Sequence, residues 1–321
     1  GNSIQFTADY FYKRTDGMLI EMPVPTYLGE SKPWGNVGSM SNTGVELDLS
    51  YRYSIGDFNF SVGANATYIK TLLINAGNES GILDRGSVHQ MGTIIRGENG
   101  QPFPYFFGYK TDGVFQNWGE VYAYTNAEGK LVQPDAQPGD FRYQDINGDG
   151  SITAEGDRAN LGKCVPSWTY GINASIDWKG IDFSMVWQGV AGNKIFDATR
   201  RTDIPTMNQP KYVLNRWTGE GSTNAYPRFT VTDPNQNWSK ASDFFIKDAS
   251  YFRLKNVTLG YTLPVNWTNK IFVKKFRVYV ACENALTFTK YDGFDPEIAD
   301  YVDRGIYPQA RTVQFGANIT F

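Results

Sequence analysis

Apolar and polar residues alternate one for one along eight stretches of this chain, at 3–13, 41–54, 57–70, 167–178, 181–191, 250–263, 274–288 and 309–321. A period of two sends successive side chains to opposite faces of an extended backbone, so each stretch predicts a strand with one apolar and one polar face. In GVELDLSYRY, Val45, Leu47, Leu49, Tyr51 and Tyr53 share one face, against Glu46, Asp48, Ser50 and Arg52 on the other. Each stretch exceeds the roughly five or six residues of an ordinary globular strand, and each is long enough for the roughly 9 to 11 tilted residues that cross a bilayer.

The connections alternate as well. Strands two and three are joined by Ile55-Gly56, four and five by Lys179-Gly180, six and seven by PVNWTNKIFV, whereas the other joints are the long loops 14–40, 71–166, 192–248 and 289–308. Short turns at one end and long loops at the other are the asymmetry of an outer-membrane β-barrel, with extracellular loops and periplasmic turns; parity then places Phe321 at the periplasmic rim. A β-sandwich also has one apolar face per strand, but its core gives no reason to sort residues along that face. Here Tyr51, Tyr53, Phe58, Phe60, Trp178, Phe183, Tyr261 and Phe276 lie next to the short turns. Tyr10, Tyr12, Tyr68, Trp168, Tyr170, Trp187 and Phe288 lie next to the long loops, with Leu47, Leu49, Val62, Ala64, Ile172, Ala174, Val257 and Val280 among the aliphatics between. Two aromatic girdles around an aliphatic band predict a transmembrane antiparallel barrel, an all-β fold.

Composition adds exclusions. Mean hydropathy is -0.41 and no apolar run is long enough for a membrane helix, so any membrane reading rests on strands. A net charge of -3 gives no basic footprint for nucleic acid. Cys164 and Cys282 are too few for a disulfide framework and are expected unpaired. GNSIQFTADY is strand-like at once, without a leader pattern, so the chain reads as a processed or truncated product. Asn-x-Ser/Thr triplets at Asn65, Asn173, Asn256 and Asn318 put both polar members on an inward face and read as pleat rather than as glycosylation sites. One strand breaks the pattern: the parity of Val257, Leu259 and Tyr261 also selects Arg253 and Lys255, which must sit above the membrane or beyond a bulge, since a charge on mid-bilayer lipid costs about 2 to 4 kcal/mol.

The sharpest chemical motif is DINGDGSITAEGD. Asp145, Asn147, Asp149, Ser151 and Asp157 offer alternating oxygens around Gly150, as in the first half of a calcium loop, although position twelve is Gly156. The expectation is a structural Ca2+ staple, with an Asx-rich turn closed by its own hydrogen bonds as the alternative. PFPYFFGY (102–109) and NWGEVYAY (117–124) are expected to pack a long ordered loop, with a sugar-stacking or partner-binding platform as the other possibility. The sole histidine, His89, has no nucleophile elbow near it in sequence, and no phosphate loop or dinucleotide fingerprint is present, so no enzyme is expected.

SYFRLKNVTLGYTLP resembles the Ser-Tyr-Leu-Arg-Leu-Lys-Asn-Val-Thr-Leu-Gly-Tyr segment near the end of SusC/RagA-type TonB-dependent transporters of Bacteroidota, with Phe252 in place of Leu. GYKTDGVFQ, PGDFRYQDINGDGSIT and LGKCVPSWTYGINASIDWKGIDFSMVWQGVAGNKIFD follow in that family's order, GSMSNTGVELDL and Phe321 fit as well, and the resemblance covers essentially the whole chain. It implies that residues 1–321 are the last third of a 22-stranded barrel, without the plug domain, in the outer membrane of a Gram-negative bacterium. It implies import of oligosaccharides or peptides, a SusD-like surface lipoprotein as lid, TonB engaged through the plug region, and Phe321 as the assembly signal. Two other readings stay open: a stand-alone eight-stranded outer-membrane barrel acting as an adhesin or structural protein, and a secreted calcium-stabilised glycan-binding β-module.

Overall fold

The computed structural model describes residues 3–21, 33–201, 204, 206 and 208–321. In chain order the strands are β1 (Ile4–Glu21), β2 (Trp34–Ile55), β3 (Phe58–Asn75), β4 (Ile82–Ser87), β5 (Thr93–Glu98), β6 (Tyr105–Tyr109), β7 (Thr111–Val114), β8 (Phe141–Tyr143) and β9 (Arg158–Lys163). They continue with β10 (Trp168–Trp178), β11 (Ile181–Ala191), β12 (Lys194–Asp197), β13 (Ile246–Asp248), β14 (Tyr251–Thr262), β15 (Lys275–Thr289), β16 (Val302–Asp303) and β17 (Thr312–Thr320); short helices α1 (Trp118–Ala123) and α2 (Val265–Thr268) lie between them.

The eight alternating stretches form one antiparallel sheet in the order β1-β2-β3-β10-β11-β14-β15-β17. Its register aligns the apolar positions from strand to strand: Phe6 faces Leu49, Leu49 faces Ala64, Ala64 faces Ile172, Ile172 faces Trp187, and farther down Met185 faces Val257 and Val257 faces Cys282. Because the side-chain period is two, a slip of one residue anywhere would move a whole strand's apolar set to the polar face. The aromatic rows hold their register too, with Tyr53 opposite Phe60, Phe58 opposite Trp178, and Tyr68 opposite Trp168 at a centroid distance of 4.9 Å. Among the described residues β1 and β17 do not pair, so the sheet is open and does not close as an eight-stranded barrel.

The short-turn end is built by local chemistry. Lys179 and Gly180 both have positive φ, 48° and 85°, the combination that a two-residue hairpin needs to match the strand twist. The turn after β2 falls on Gly56 and Asp57, one residue beyond the expected pair. At the other end β1, β2 and β3 run farther than the pattern predicted. The expected loop 14–40 is strand as far as Glu21 and again from Trp34, its residues 22–32 lie outside the described residues, and β3 claims the first residues of the expected loop 71–166. Backbone pairing persists there while alternation stops: Arg14 pairs with Asp16 at 2.9 Å, and Gly17, φ 68°, sits at a register shift. Strand above a membrane has no lipid face to satisfy and so carries no binary pattern.

The other long connections fold on themselves. β4-β5-β6-β9 and β7-β8 form within 71–166, and β13-β12-β16 joins 192–248 to 289–308. Residues 202, 203, 205 and 207, which are outside the described residues, fall in the expected loop 192–248.

Register makes a paired test possible. Ile172→Arg, on the apolar face in the middle of the aliphatic band, should cost about 2 to 4 kcal/mol in reversible unfolding in lipid, and Gln188→Arg, on the polar face of the neighbouring strand, should cost little. Equal costs would mean that the two faces do not meet different solvents.

Candidate functional site: the polar wall and the loop cap

The polar face of the sheet is a wall of short side chains. Ser61 and Ser175 bond at 2.7 Å, Thr71 donates to Asn42 at 2.7 Å, and the Asn173 amide fills the space that a side chain on Gly63 would need. Near the short turns Arg277 Nε donates to Asp182 at 2.8 Å across the intervening β14; a Cβ on Gly260 would lie 2.5 Å from both groups, so glycine there lets the ion pair span a strand.

Near the long loops the wall changes hand. Val186 pairs with Asn256 but Trp187 pairs with Leu254, so Lys255 has no partner on β11 and forms a bulge. The bulge reverses parity: Phe252 and Leu254 join the apolar face, with Trp187, Phe252 and Phe288 stacked at 4.7 and 6.1 Å, and Arg253 turns to the polar side. Arg253 is 3% exposed. It donates to Asp295 at 2.7 Å, Glu297 at 2.9 Å and Thr287 at 2.9 Å, and Lys255 reaches Glu297 at 2.7 Å. The two cations that violated the pattern thus tie the segment after β15 to the wall. Burial alone would push the Asp295 carboxyl up; the Arg253 guanidinium and the backbone N–H groups of Glu297 and Gln309 outweigh it and hold the carboxyl below its usual range.

Above the wall, the long connections share one core. Phe106 and Cys164 from one loop, Phe196, Trp238 and Phe245 from the next, and Val302 from the last are all buried together. Every residue of Tyr105–Tyr109 is buried, so most of PFPYFFGY is packing. In NWGEVYAY, Val121 is buried but Trp118 and Tyr122 are exposed and stacked at 5.6 Å. A second buried link joins the loops: Arg228 Nε and Nη2 donate to Asp140 at 2.6 and 3.1 Å, and Asn237 donates to the same carboxylate at 2.8 Å.

The residues of the Asp-rich motif come together as a turn. Asp145 accepts from the N–H groups of Gly148 and Gly150 at 2.7 and 2.8 Å, Asn147 accepts from that of Asp149, and Asp149 accepts from the N–H and hydroxyl of Ser151. Bonds from Asn147 and Ser151 hold the Asp149 carboxyl below its usual range. Asp157 is fully buried beneath, accepting from Ile146 and Thr153 at 2.7 Å each. Among the described residues no group of three or more His, Cys, Asp or Glu is arranged to hold a metal ion. Phe321, 75% exposed, follows the last residue of β17 and stands apart from that turn. His89 Nε2 lies 3.3 Å from the Ala198 carbonyl, inside the cap. Both cysteines are free, and burial pushes the Cys164 thiol up.

Residues 1–285 match the family model described as TonB dependent receptor-like, beta-barrel. The chain belongs to this TonB-dependent receptor family. It is 29% identical over 340 residues to TonB-dependent receptor P3 of Formosa agariphila, covering all of this chain and 32% of that protein. It is 25% identical over 325 residues to TonB-dependent receptor SusC of Bacteroides thetaiotaomicron, covering 98% of this chain and 30% of that one. The RagAB peptide importer in its open-open state matches all of this chain and 33% of its own with a TM-score of 0.77 at 24% identity, a likeness of fold. The chain therefore spans about a third of the length of the relatives it matches. The TonB-dependent receptors are outer-membrane β-barrels and a transporter family, not an enzyme family.

Sequence reasoning missed the contacts of Arg253 with Asp295 and Glu297 and the Asp140–Arg228 pair, because each joins segments far apart in the chain; the misplaced parity of Arg253 was the one local signal. In this TonB-dependent receptor chain, the folded pKa of Asp295 lies below its unfolded value. Its contribution to stability is therefore full above the ordinary carboxylate range and lost as pH falls through the lowered value, below about pH 4. Arg253→Met should expose 290–311 to hydrogen exchange at neutral pH, at a cost of about 3 to 5 kcal/mol. Protection in the variant should return as pH falls and the buried carboxyl is protonated, the reverse of the wild-type trend. Parallel trends would refute the link.

Proposed function

We propose that this chain forms part of an outer-membrane transporter that imports oligosaccharides or peptides, coupled to TonB through a plug domain and covered by a SusD-like surface lipoprotein. The observation that carries the reading is the register: eight strands align one apolar and one polar face with girdles at both ends, within a family of TonB-dependent receptors. A sheet apolar on one face and lined on the other by Ser61, Asn65, Thr67, Asn173 and Ser175 suits a wall between lipid and a watery passage. The open edges at β1 and β17 suit pairing with further strands better than a small barrel does. The loops that form the cap would lie outside the cell, where a lipoprotein lid can reach them, and the short turns in the periplasm. The names of the relatives support this: one is SusC, and the RagAB structures are titled as those of a peptide importer or transporter. On the same reading Phe321 is the aromatic residue by which the assembly machinery captures the last strand, through strand addition at a free edge.

The test is uptake by intact cells of the source bacterium. Accumulation of the substrate should stop when the proton-motive force is collapsed or TonB is deleted, and the lipoprotein should co-purify with the barrel. Phe321→Ala should lower the amount of heat-modifiable barrel in the outer membrane. Uptake that persists without TonB would overturn the transporter reading.

The Asp145–Asp157 turn has a structural role on this reading, closed by its own hydrogen bonds; a calcium ion is the other way to hold it. Chelation should leave the melting temperature of the purified protein unchanged, whereas Asp145→Ala should lower it. A rise of several degrees on adding millimolar calcium would establish the metal reading instead.

A further inference from the structure

The cap carries an open pocket of about 460 Å³ between the segment that follows β12 and the one that follows β15. Asp197, Thr199, Gln209, Tyr212, Asp292 and Phe294 line it, with no lysine or arginine among its described lining residues. Tyr212 forms a fixed wall, half-buried against the cap core with Tyr226 at 6.3 Å and Phe244 at 6.4 Å, while Phe294 stands 66% exposed at the opening. Asp197 is oriented by the N–H and hydroxyl of Thr199 at 3.0 and 2.6 Å. Burial, and with it the fields of Asp197 and Asp292, pushes the Tyr212 phenol up, opposed by Arg200, so both carboxylates act on one spot. Arg200 is 7% exposed, with its Nε on Gln209 at 2.6 Å and its guanidinium over Trp238 at 4.0 Å, and so stands behind the wall. Two carboxylates and two rings that line one pocket attract a cation by charge and by the negative ring faces together. A neutral or anionic ligand would leave the two like charges uncompensated.

We propose that this cavity takes the cationic side chain, guanidinium or ammonium, of a peptide on its way into the transporter; the inference rests on the import reading above and selects peptides within it. The alkyl stem of arginine or lysine would lie along Tyr212 and Phe294, with the charge between Asp197 and Asp292.

The test uses the full-length transporter in detergent and measures binding of Ala-Arg-Ala-Ala against Ala-citrulline-Ala-Ala, which keeps the shape and removes the charge. The arginine peptide should bind at least tenfold tighter at low salt, and the ratio should shrink as ionic strength rises. Asp292 is exposed, so D292N should keep the heat-dependent gel mobility of the folded barrel and cut the ratio at least threefold; D197N/D292N should bring it close to one. Equal binding of the two peptides by the wild type, or an unchanged ratio in D292N, would overturn the proposal. So would binding of maltohexaose that depends on Phe294 while neither peptide binds, which would make the cavity a neutral-sugar site. Binding to solubilised protein needs neither TonB nor an energised membrane, so this failure is distinct from a failure of the import reading, which only the uptake assay tests.

Discussion

The constraint on which the rest depends is that hydrocarbon offers backbone N–H and C=O groups no partner, so a chain that crosses it by strands must satisfy every such group sideways. That requirement fixes the antiparallel ladder of β1, β2, β3, β10, β11, β14, β15 and β17, and the ladder in turn fixes which side chains share a face. Lipid selects the apolar set and water the polar set, so the binary pattern follows from the solvents. Glycine enters where a neighbour needs room, as at Gly260 under the Asp182–Arg277 pair and Gly63 under Asn173.

Beyond the membrane the same backbone rule is met in a different way. The ladder continues through Arg14 and Gly17 without alternation, because both faces there meet water or protein. The long connections are then free to behave as a soluble domain. They bury Phe106, Phe196, Trp238 and Phe245 in one core and place the Asp140 carboxylate under Arg228 and Asn237, where a satisfied charge fixes how two loops meet.

What could be read from the sequence divides along this line. The membrane strands were legible to within a residue or two at the short-turn end, since Ile55, Trp178, Ile181 and Thr262 all lie where alternation stops. At the other end β10, β11, β14 and β15 also stop within a residue of the pattern, but β1, β2 and β3 do not, because pairing there outlives it; β1 continues through Met18, Leu19 and Ile20, which break the period. The cap was legible only as aromatic richness. Which aromatics are core and which are surface depends on contacts between distant segments: Tyr105 to Tyr109 proved buried, and Trp118 with Tyr122 proved exposed, from stretches of similar composition. The cavity by Asp197 and Asp292 was invisible for the same reason, its two carboxylates coming from separate loops.

The bulge at Lys255 is where the two regimes meet. A continuous alternation would have carried Lys255 opposite Trp187 and Arg253 opposite Gly189 on the apolar face, a placement that becomes cheaper toward the interface but leaves the guanidinium's donors unmet. One extra residue turns Arg253 inward and supplies Phe252 and Leu254 to the girdle in its place, so a single local irregularity solves a problem on each face. The guanidinium, once inward and buried, needs more acceptors than the single Thr287 hydroxyl of the wall provides, and Asp295 and Glu297 supply them from the segment after β15. That segment continues from Asp292 and Phe294, which line the cavity, so the anchoring of the wall and the shape of the cavity are set within a few residues of one another. The solvent requirement of one strand thereby positions a loop whose own sequence carries no periodic signal.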